Sequence, residues 1–260
     1  MILGMDLLSG ALLVFLATSF GAFPAYFLRR MGPRLESVLL GMCAGVMLGA
    51  TFFSLLLPGL DAFQKQGYSS LVSALFVGLG ILVGAALLLG FHHVIPHEHL
   101  LKLEGQEDTA THKAMSRQWL LILAVALHNV PEGLAVGVGI SSGDDKLGTT
   151  LATAIAFQDF PEGWIVAVGL MALGMSFART FLITAFTGLM ESAGVVVGFL
   201  ALQFSVALLP SAFALCAGAM LFVVSHEVIP ESHRKGFELH ATGGVLVGFI
   251  LMMVLDLGLA

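Results

Sequence analysis

The sequence predicts an all-α integral membrane protein, because its composition, its long apolar runs and an internal repeat all suit helices in lipid. Of its 260 residues, 58% are hydrophobic and 11% are charged, whereas a soluble domain is about 25% charged. So few charged side chains cannot cover a globule, which excludes an ordinary soluble enzyme. The high hydrophobicity also excludes a disordered chain. The net charge of −6 and the lack of a long basic cluster argue against a nucleic-acid partner.

Eight segments are apolar and long enough to cross a bilayer, which takes about 20 residues per helix. They are Leu7–Leu28, Leu35–Leu57, Ser70–Phe91, Gln118–Ile140, Thr149–Met171, Thr180–Leu202, Val206–Ile229 and Thr242–Gly258. None of them alternates apolar with polar residues as the strands of a membrane barrel do. Cys43 and Cys216 lie inside two of the runs and are predicted to be small packing residues.

Basic residues between the segments predict the orientation, because cytoplasmic loops are enriched in lysine and arginine. Nine follow the odd-numbered segments, namely Arg29, Arg30, Arg34, Lys102, Lys113, Arg117, Arg179, Arg234 and Lys235. Two, Lys65 and Lys146, follow segments two and four. We therefore expect the odd-numbered ends in the cytoplasm and both termini outside. The long histidine-containing connection, residues 92–117, is then cytoplasmic, and residues 1–260 are expected to form a single transmembrane domain.

Two pairs of segments share sequence. Residues 126–140 in segment four and 156–170 in segment five align without a gap at an offset of 30 and share Pro-Glu-Gly. Residues 43–48 and 216–221 share Cys-Ala-Gly-x-Met-Leu and pair segment two with segment seven. The members of each pair run in opposite directions, which predicts an inverted repeat about a pseudo-two-fold axis in the membrane plane. Many secondary transporters are built this way and bind substrate at the repeat interface.

Polar and ionisable residues interrupt the apolar runs of segments four to six. They are His128, Asn129, Glu132, Gln158, Asp159, Glu162 and Glu191. One central charge costs roughly 2.5–3.5 kcal/mol even on insertion scales, and these segments contain no lysine or arginine among the polar residues. Two divalent cations would neutralise the four carboxylates. A polar knot that merely joins helices and a proton relay are the alternative interpretations.

The spacing of these residues indicates two metal positions. Residues three or four apart share a helix face, so Glu132 and Glu162 could bridge two ions if segments four and five face each other. His128 and Gln158 would then complete one position, and Asn129, Asp159 and Glu191 the other. Pro131 and Pro161 each free a backbone carbonyl one turn earlier. Imidazole, carboxylate and amide ligands without thiolate suit Zn²⁺, Fe²⁺, Mn²⁺, Co²⁺ or Cd²⁺ and disfavour Cu⁺.

The paired motifs His128-Asn-Val-Pro-Glu-Gly133 and Gln158-Asp-Phe-Pro-Glu-Gly163 resemble those of the ZIP (Zrt/Irt-like) metal transporters. The Gln-Asp version, together with the segment 225–233, resembles the GufA-type branch. This resemblance implies a 3+2+3 arrangement of eight helices and a binuclear site between helices four, five and six. It places one ion on His128, Glu132, Gln158 and Glu162. It places the other on Asn129, Glu132, Asp159, Glu162 and Glu191. Many relatives carry histidine where Gln158 stands, and glutamine is the weaker ligand.

A second group of polar residues lies toward the predicted cytoplasmic side and is a candidate exit for metal. Its members are His226, Glu227, His233, His92 and His93. The alternative interpretation is ordinary interfacial polarity at helix ends.

The hypothesis that follows is a divalent-metal importer, foremost for zinc, working by alternating access, although a channel-like path stays open. One rival is an exporter or proton-coupled antiporter that uses the same residues. The other is an intramembrane metalloenzyme, for which a His-Glu-x-x-His motif on a helix is expected. The central group of residues contains one histidine and no such motif. We expect no resident cofactor, a prokaryotic inner membrane or a eukaryotic plasma membrane as location, and a homodimer as one possible assembly.

Overall fold

A computed structural model describes residues 5–28, 30–94, 126, 129–172 and 174–259. Within these ranges the regular structure is helical and contains no strand. The helices, labelled in chain order, are α1 (Leu7–Phe27), α2 (Pro33–Lys65), α3 (Ser70–Val94), α4 (residues 129–141), α5 (Asp145–Ala172), α6 (Phe177–Phe204), α7 (Leu209–His233) and α8 (Glu238–Leu259). The all-α prediction is confirmed.

Six of these helices, α1, α2, α3, α6, α7 and α8, are long and apolar enough to cross a membrane. Helix α5 has 28 residues, but its polar residues Gln158, Asp159 and Glu162 lower its hydropathy. Helix α4 is described from residue 129, so the first part of the predicted segment Gln118–Ile140, apart from residue 126, lies outside the described residues. The protein is therefore an all-α membrane protein, and the count of eight crossings stays a prediction.

Several helices are longer than the apolar runs that predict them, because polar residues extend them past the lipid-facing part. Helix α2 continues to Lys65, eight residues beyond the predicted end at Leu57. Helix α5 begins at Asp145, four residues before the predicted Thr149. At the start of α1, the Asp6 carboxylate accepts a hydrogen bond from the Ser9 backbone N–H at 2.7 Å. The bonds from Ser9 hold the pKa of Asp6 below its usual value.

Four short turns connect neighbouring helices through a glycine with positive φ. These glycines are Gly67, Gly143, Gly174 and Gly236, with φ between 80° and 96°. A residue with a Cβ is strained in this left-handed region, whereas glycine adopts it freely. The four turns follow α2, α4, α5 and α7, so they fold each of these helices back against the following segment.

The helices pack in pairs that an internal two-fold relates. Helix α2 packs on α8 and α3 packs on α7, while α1 packs on both α5 and α6. Helix α4 packs on α6. Exchanging α1 with α6, α2 with α7, α3 with α8 and α4 with α5 turns the α2–α8 pairing into the α7–α3 pairing and the α1–α5 pairing into the α6–α4 pairing. The α1–α6 pairing stays unchanged, as a contact across the two-fold would. This is the packing expected of three helices repeated in inverted order around a central pair.

Close helix contacts obey the same exchange at the level of single residues. Gly21 of α1 lies against the carbonyl of Phe160 in α5, and Gly194 of α6 lies against the carbonyl of Val130 in α4. Phe160 and Val130 occupy the same position in the two Pro-Glu-Gly motifs. A Cβ at either glycine would meet backbone atoms. Small residues thus allow these backbones to approach closely.

Helices α2 and α7 each contain a π-helical segment, which the sequence reasoning did not foresee. The segments are Ala50–Leu56 and Val224–Val228. They follow the matching Cys-Ala-Gly-x-Met-Leu sequences and precede Pro58 and Pro230, which cannot donate to the preceding turn. A π segment is a local widening of the helix that is frequent at functional sites. The two segments therefore mark corresponding places in the two repeats.

Candidate metal centre

Three carboxylates meet in the interior of the helix bundle. One oxygen each from Glu132 on α4, Asp159 on α5 and Glu191 on α6 lie within 4.8 Å of one another. All three side chains are at most 1% exposed. Carboxylate oxygens bind zinc at about 2.0–2.2 Å, so small rotamer adjustments would bring all three to one cation. Buried like charges repel one another unless a cation or protons compensate them.

The Pro-Glu-Gly sequences explain why these helices approach so closely. Gly133 lies against the backbone carbonyl of Glu191, and Gly163 lies against that of Thr18. A side chain at either position would separate the helices. Because Gly133 directly follows Glu132, its contact brings the Glu132 carboxylate next to α6. Inside α5, Pro161 has no N–H to donate to the carbonyl of Phe157.

Two of the predicted amide ligands make hydrogen bonds that orient them. Gln158 is fully buried, and its side-chain amide donates to Oε1 of Glu132, which joins α5 to α4. Asn129 donates through Nδ2 to the carbonyl of Thr187 at 3.3 Å. Its Oδ1 is buried and accepts no hydrogen bond from the described residues. Asn129 thus keeps an amide oxygen for a cation.

Asp159 lies among other carboxylates, and no N–H or hydroxyl group of the described residues compensates its negative charge. Neither of its oxygens accepts a hydrogen bond from an N–H or hydroxyl group of the described residues. The carboxylates of Glu191, Glu132 and Glu162 all act on it electrostatically. Glu162 is 5% exposed and is close enough for that interaction, but it is outside the three-oxygen cluster.

The two predicted metal positions are therefore described to different extents. The structure brings together Glu132, Asp159 and Glu191, which the prediction assigns to the second position, with Asn129 on the same helix as Glu132. His128, assigned to the first position, lies outside the described residues. Gln158 donates to Glu132 through its amide nitrogen, and its Oε1 is buried and accepts no hydrogen bond from the described residues, so that oxygen stays available to a cation.

Two residues beside the centre were not foreseen from the sequence. Oγ1 of Thr18 on α1 lies 3.1 Å from Oε2 of Glu191, and the thiol of Cys43 on α2 donates to the backbone carbonyl of Gln158 at 3.5 Å. Thr18 and Glu191 are 173 residues apart, which is also the separation of Cys43 and Cys216. Extending that repeat alignment into the first helix would have found Thr18.

The predicted exit residues are on helices other than those of the three carboxylates, and the described ones have different local contacts. His226 and Glu227 are in the π segment of α7, where the exposed His226 ring stacks on Phe222 at 5.0 Å. In His233, Nδ1 lies 2.9 Å from the carbonyl of Ile229 and Nε2 lies 3.2 Å from Oγ1 of Thr242. Both nitrogens of His233 are thus engaged within the protein. His92 and His93 fall in α3, but their side chains, like residues 95–117, lie outside the described residues.

A helical membrane bundle with carboxylates converging in its interior defines a polytopic membrane protein with a candidate cation site. A family model described as ZIP zinc transporter matches residues 92–256, more than half of the chain. The zinc transporter GufA of Myxococcus xanthus is 43% identical over 253 residues, covering 97% of this chain and 98% of the relative. The zinc transporter ZIPB of Bordetella bronchiseptica is 44% identical over 246 residues, covering 94% and 78%. The zinc transporter ZupT of Chlorobaculum parvum is 32% identical over 253 residues, covering 94% and 93%.

The chain therefore belongs to the ZIP family and is GufA-like, as the paired motifs predicted. The family is one of transporters, not of enzymes, so the intramembrane metalloenzyme hypothesis is set aside.

Proposed function

We propose that this protein carries divalent metal ions, foremost zinc, across the membrane through the centre around Glu132, Asp159 and Glu191. The convergence of these three buried carboxylates carries the proposal. Relatives that align with nearly the whole chain are named zinc transporters, which favours zinc among the ions that suit oxygen and nitrogen ligands. Cd²⁺, Fe²⁺, Mn²⁺ and Co²⁺ are the further candidates to compare.

The carboxylates would supply most of the attraction for the cargo ion. A divalent ion entering the bundle loses hydrating water, and carboxylate and amide oxygens replace that water. In return, the ion offsets the repulsion among the negative charges, which is strong in an interior of low dielectric constant. With Glu162 and His128 included, the residues would suffice for two ions that share Glu132 and Glu162. We propose this binuclear arrangement on the strength of the duplicated motif.

The packing of the helices supports transport by alternating access. The candidate ligands lie on α4, α5 and α6, and α1 packs against the last two of these helices. Helices α2 with α8 and α3 with α7 form the other close pairs. Helix α5 also touches α2 and α8. We propose that the group that holds the ligands moves against the other group and exposes the centre to each side in turn.

The charge distribution of the loops supports an orientation of the protein in the membrane, on which the proposed direction of transport depends. With the basic loops in the cytoplasm, α7 ends at the cytoplasmic side, where His226 and Glu227 would receive the leaving ion. Both termini would lie outside, and import is the proposed direction. An exporter or a proton-coupled antiporter with the same ligands is the competing proposal. Uptake and efflux measured in oriented vesicles, with and without a proton gradient, separate the three.

The decisive experiment compares zinc uptake by proteoliposomes that contain the wild type, Asp159→Asn or Asp145→Asn. Asn at position 159 keeps the size of the side chain but removes its charge from the centre, and we expect uptake to be lost. Asp145 is an exposed carboxylate on the same helix, so Asp145→Asn should transport like the wild type. Normal uptake by Asp159→Asn, or no saturable uptake by the wild type under any gradient, would overturn the proposal.

A further inference from the structure

The hydroxyl of Thr18 contacts the candidate centre from a helix that carries none of the predicted ligands. Its Oγ1 lies 3.1 Å from Oε2 of Glu191. Thr18 is 1% exposed and Glu191 is fully buried, so water does not compete for this hydrogen bond. A hydrogen bond to a charged group is stronger than one between neutral groups.

Thr18 also occupies a special position in the fold. Counting back three residues from Gly21 on α1 gives Thr18, and counting back three from Gly194 on α6 gives Glu191. The two glycines make equivalent contacts with α5 and α4. Thr18 and Glu191 are therefore counterparts under the internal two-fold, and they touch each other across it. One repeat contributes a carboxylate to the centre and the other contributes a hydroxyl.

The Thr18 side chain is held in place on its own helix. Its Oγ1 lies 3.0 Å from the carbonyl of Val14 one turn earlier, and the backbone carbonyl of Thr18 contacts Gly163. Threonine populates two χ1 rotamers in a helix, because its Oγ1 can bond the carbonyl one turn earlier, and the contact with Val14 favours one of them. The single hydroxyl proton is shared between the Val14 carbonyl and the Glu191 carboxylate, so the hydroxyl gives the longer Glu191 side chain a fixed partner.

We propose that Thr18 is a positioning residue that holds the Glu191 carboxylate toward Asp159 and Glu132 and so sets the affinity of the centre for its cargo ion. The proposal rests on the proposed function, since it assumes that Glu191 binds the ion. Thr18 acts through Glu191 and does not touch the ion. Groups that orient metal ligands in this way typically change metal affinity by 10–100-fold when they are removed.

The test uses the full-length protein in proteoliposomes and compares the wild type with Thr18→Val, Thr18→Ser and Thr184→Val. Valine keeps the shape of threonine without the hydroxyl, and serine restores the hydroxyl. Thr184 is a fully buried threonine on α6 whose hydroxyl donates to the Thr180 carbonyl at 3.1 Å, so it controls for the loss of a helix-internal bond. We expect Thr18→Val to raise the zinc KM about 10-fold with Vmax retained, and Thr18→Ser and Thr184→Val to stay near the wild type.

A double-mutant comparison separates positioning from a general structural effect. In a Glu191→Gln background, where uptake itself is expected to be lost, zinc binding by the purified protein is measured instead, and Thr18→Val should cause no further loss of affinity, because the carboxylate that it orients is gone. An equal loss of zinc affinity in both backgrounds, or an unchanged KM in Thr18→Val, would overturn the proposal. If Thr18→Val does not fold, failure of Thr18→Ser to keep the wild-type KM would do so instead. If Glu191→Gln alone transports normally, the proposed centre itself is wrong, a distinguishable result.

Discussion

Gln158 on α5 donates a hydrogen bond from its side-chain amide to the Glu132 carboxylate on α4. The two residues belong to the two copies of the duplicated motif, and both are fully buried. The bond therefore ties the copies together at the centre. It also orients the one amide that the resemblance to ZIP transporters assigns to the first metal position, and it leaves the Gln158 oxygen, which accepts no hydrogen bond from the described residues, for an ion there.

Replacing Gln158 by histidine should strengthen zinc binding. An imidazole nitrogen is a better zinc ligand than an amide oxygen, so we expect Gln158→His to lower the KM for zinc uptake by several-fold. Gln203→His, at an exposed site near the end of α6, is the matched control and should leave the KM unchanged. Initial uptake rates over a range of free zinc concentrations provide the measurement. An unchanged KM in Gln158→His would place residue 158 outside the ion's contacts.

The contact between α2 and α8 should be intolerant of any added side chain at Gly45. A Cβ there would run into the Val245 carbonyl oxygen and the Phe249 nitrogen, and backbone cannot give way as a flexible side chain can. We expect Gly45→Ala to destabilise the fold by about 1–3 kcal/mol, the usual cost of overpacking. Thermal unfolding in detergent micelles would measure this loss as a lower Tm.

Gly243 offers the control on the partner helix α8. A Cβ at Gly243 meets no atom within 4 Å, so Gly243→Ala should leave the Tm unchanged or raise it, since alanine favours helix by about 0.5–1 kcal/mol over glycine. Gly218 is the counterpart of Gly45 and contacts the Ile81 carbonyl; Gly218→Ala should therefore behave like Gly45→Ala. Equal Tm values for Gly45→Ala and Gly243→Ala would contradict the packing.

The cap of α1 should persist at neutral pH and be lost only in acid. Bonds from Ser9 lower the pKa of Asp6, so the cap stabilises the folded state above the ordinary pKa and loses that contribution as the pH falls through the lowered one. We expect a carboxyl-carbon NMR titration to give Asp6 a pKa below its ordinary value. Ser9→Ala should move this pKa back up. Identical titrations in both proteins would disprove the cap.

The predicted orientation can be tested with single cysteines in two turns. Both natural cysteines, Cys43 and Cys216, are buried, so they give little background. Gln66 in the turn after α2 and Ser176 in the turn after α5 are exposed. An impermeant maleimide added to intact cells should label Gln66→Cys, and Ser176→Cys only after permeabilisation. The reverse pattern would invert the topology and with it the proposed direction of transport.

Most of the helices can be predicted from the sequence, because a helix that crosses a membrane needs a long run of apolar residues. The third apolar run predicts a helix from Ser70, and helix α3 begins at that residue. The predicted helix ends are wrong where a helix continues past its apolar run, as α2 does to Lys65. Backbone hydrogen bonding can continue a helix beyond the membrane. The π segments were missed because their wider turn depends on backbone pairing, which no residue pattern specifies uniquely.

The membrane class, the family and the set of candidate ligands can be inferred from the chain alone, because they depend on composition, apolar runs and residue types at fixed spacing along one helix. Which of these ligands meet depends on how the helices pack, and that is visible only in the three-dimensional fold. It brought Glu132, Asp159 and Glu191 together through contacts of glycine with backbone carbonyls. It also brought Thr18 to Glu191 across 173 residues. Spacing within a helix is local information, whereas close contacts between helices come from the complementary shapes of distant segments.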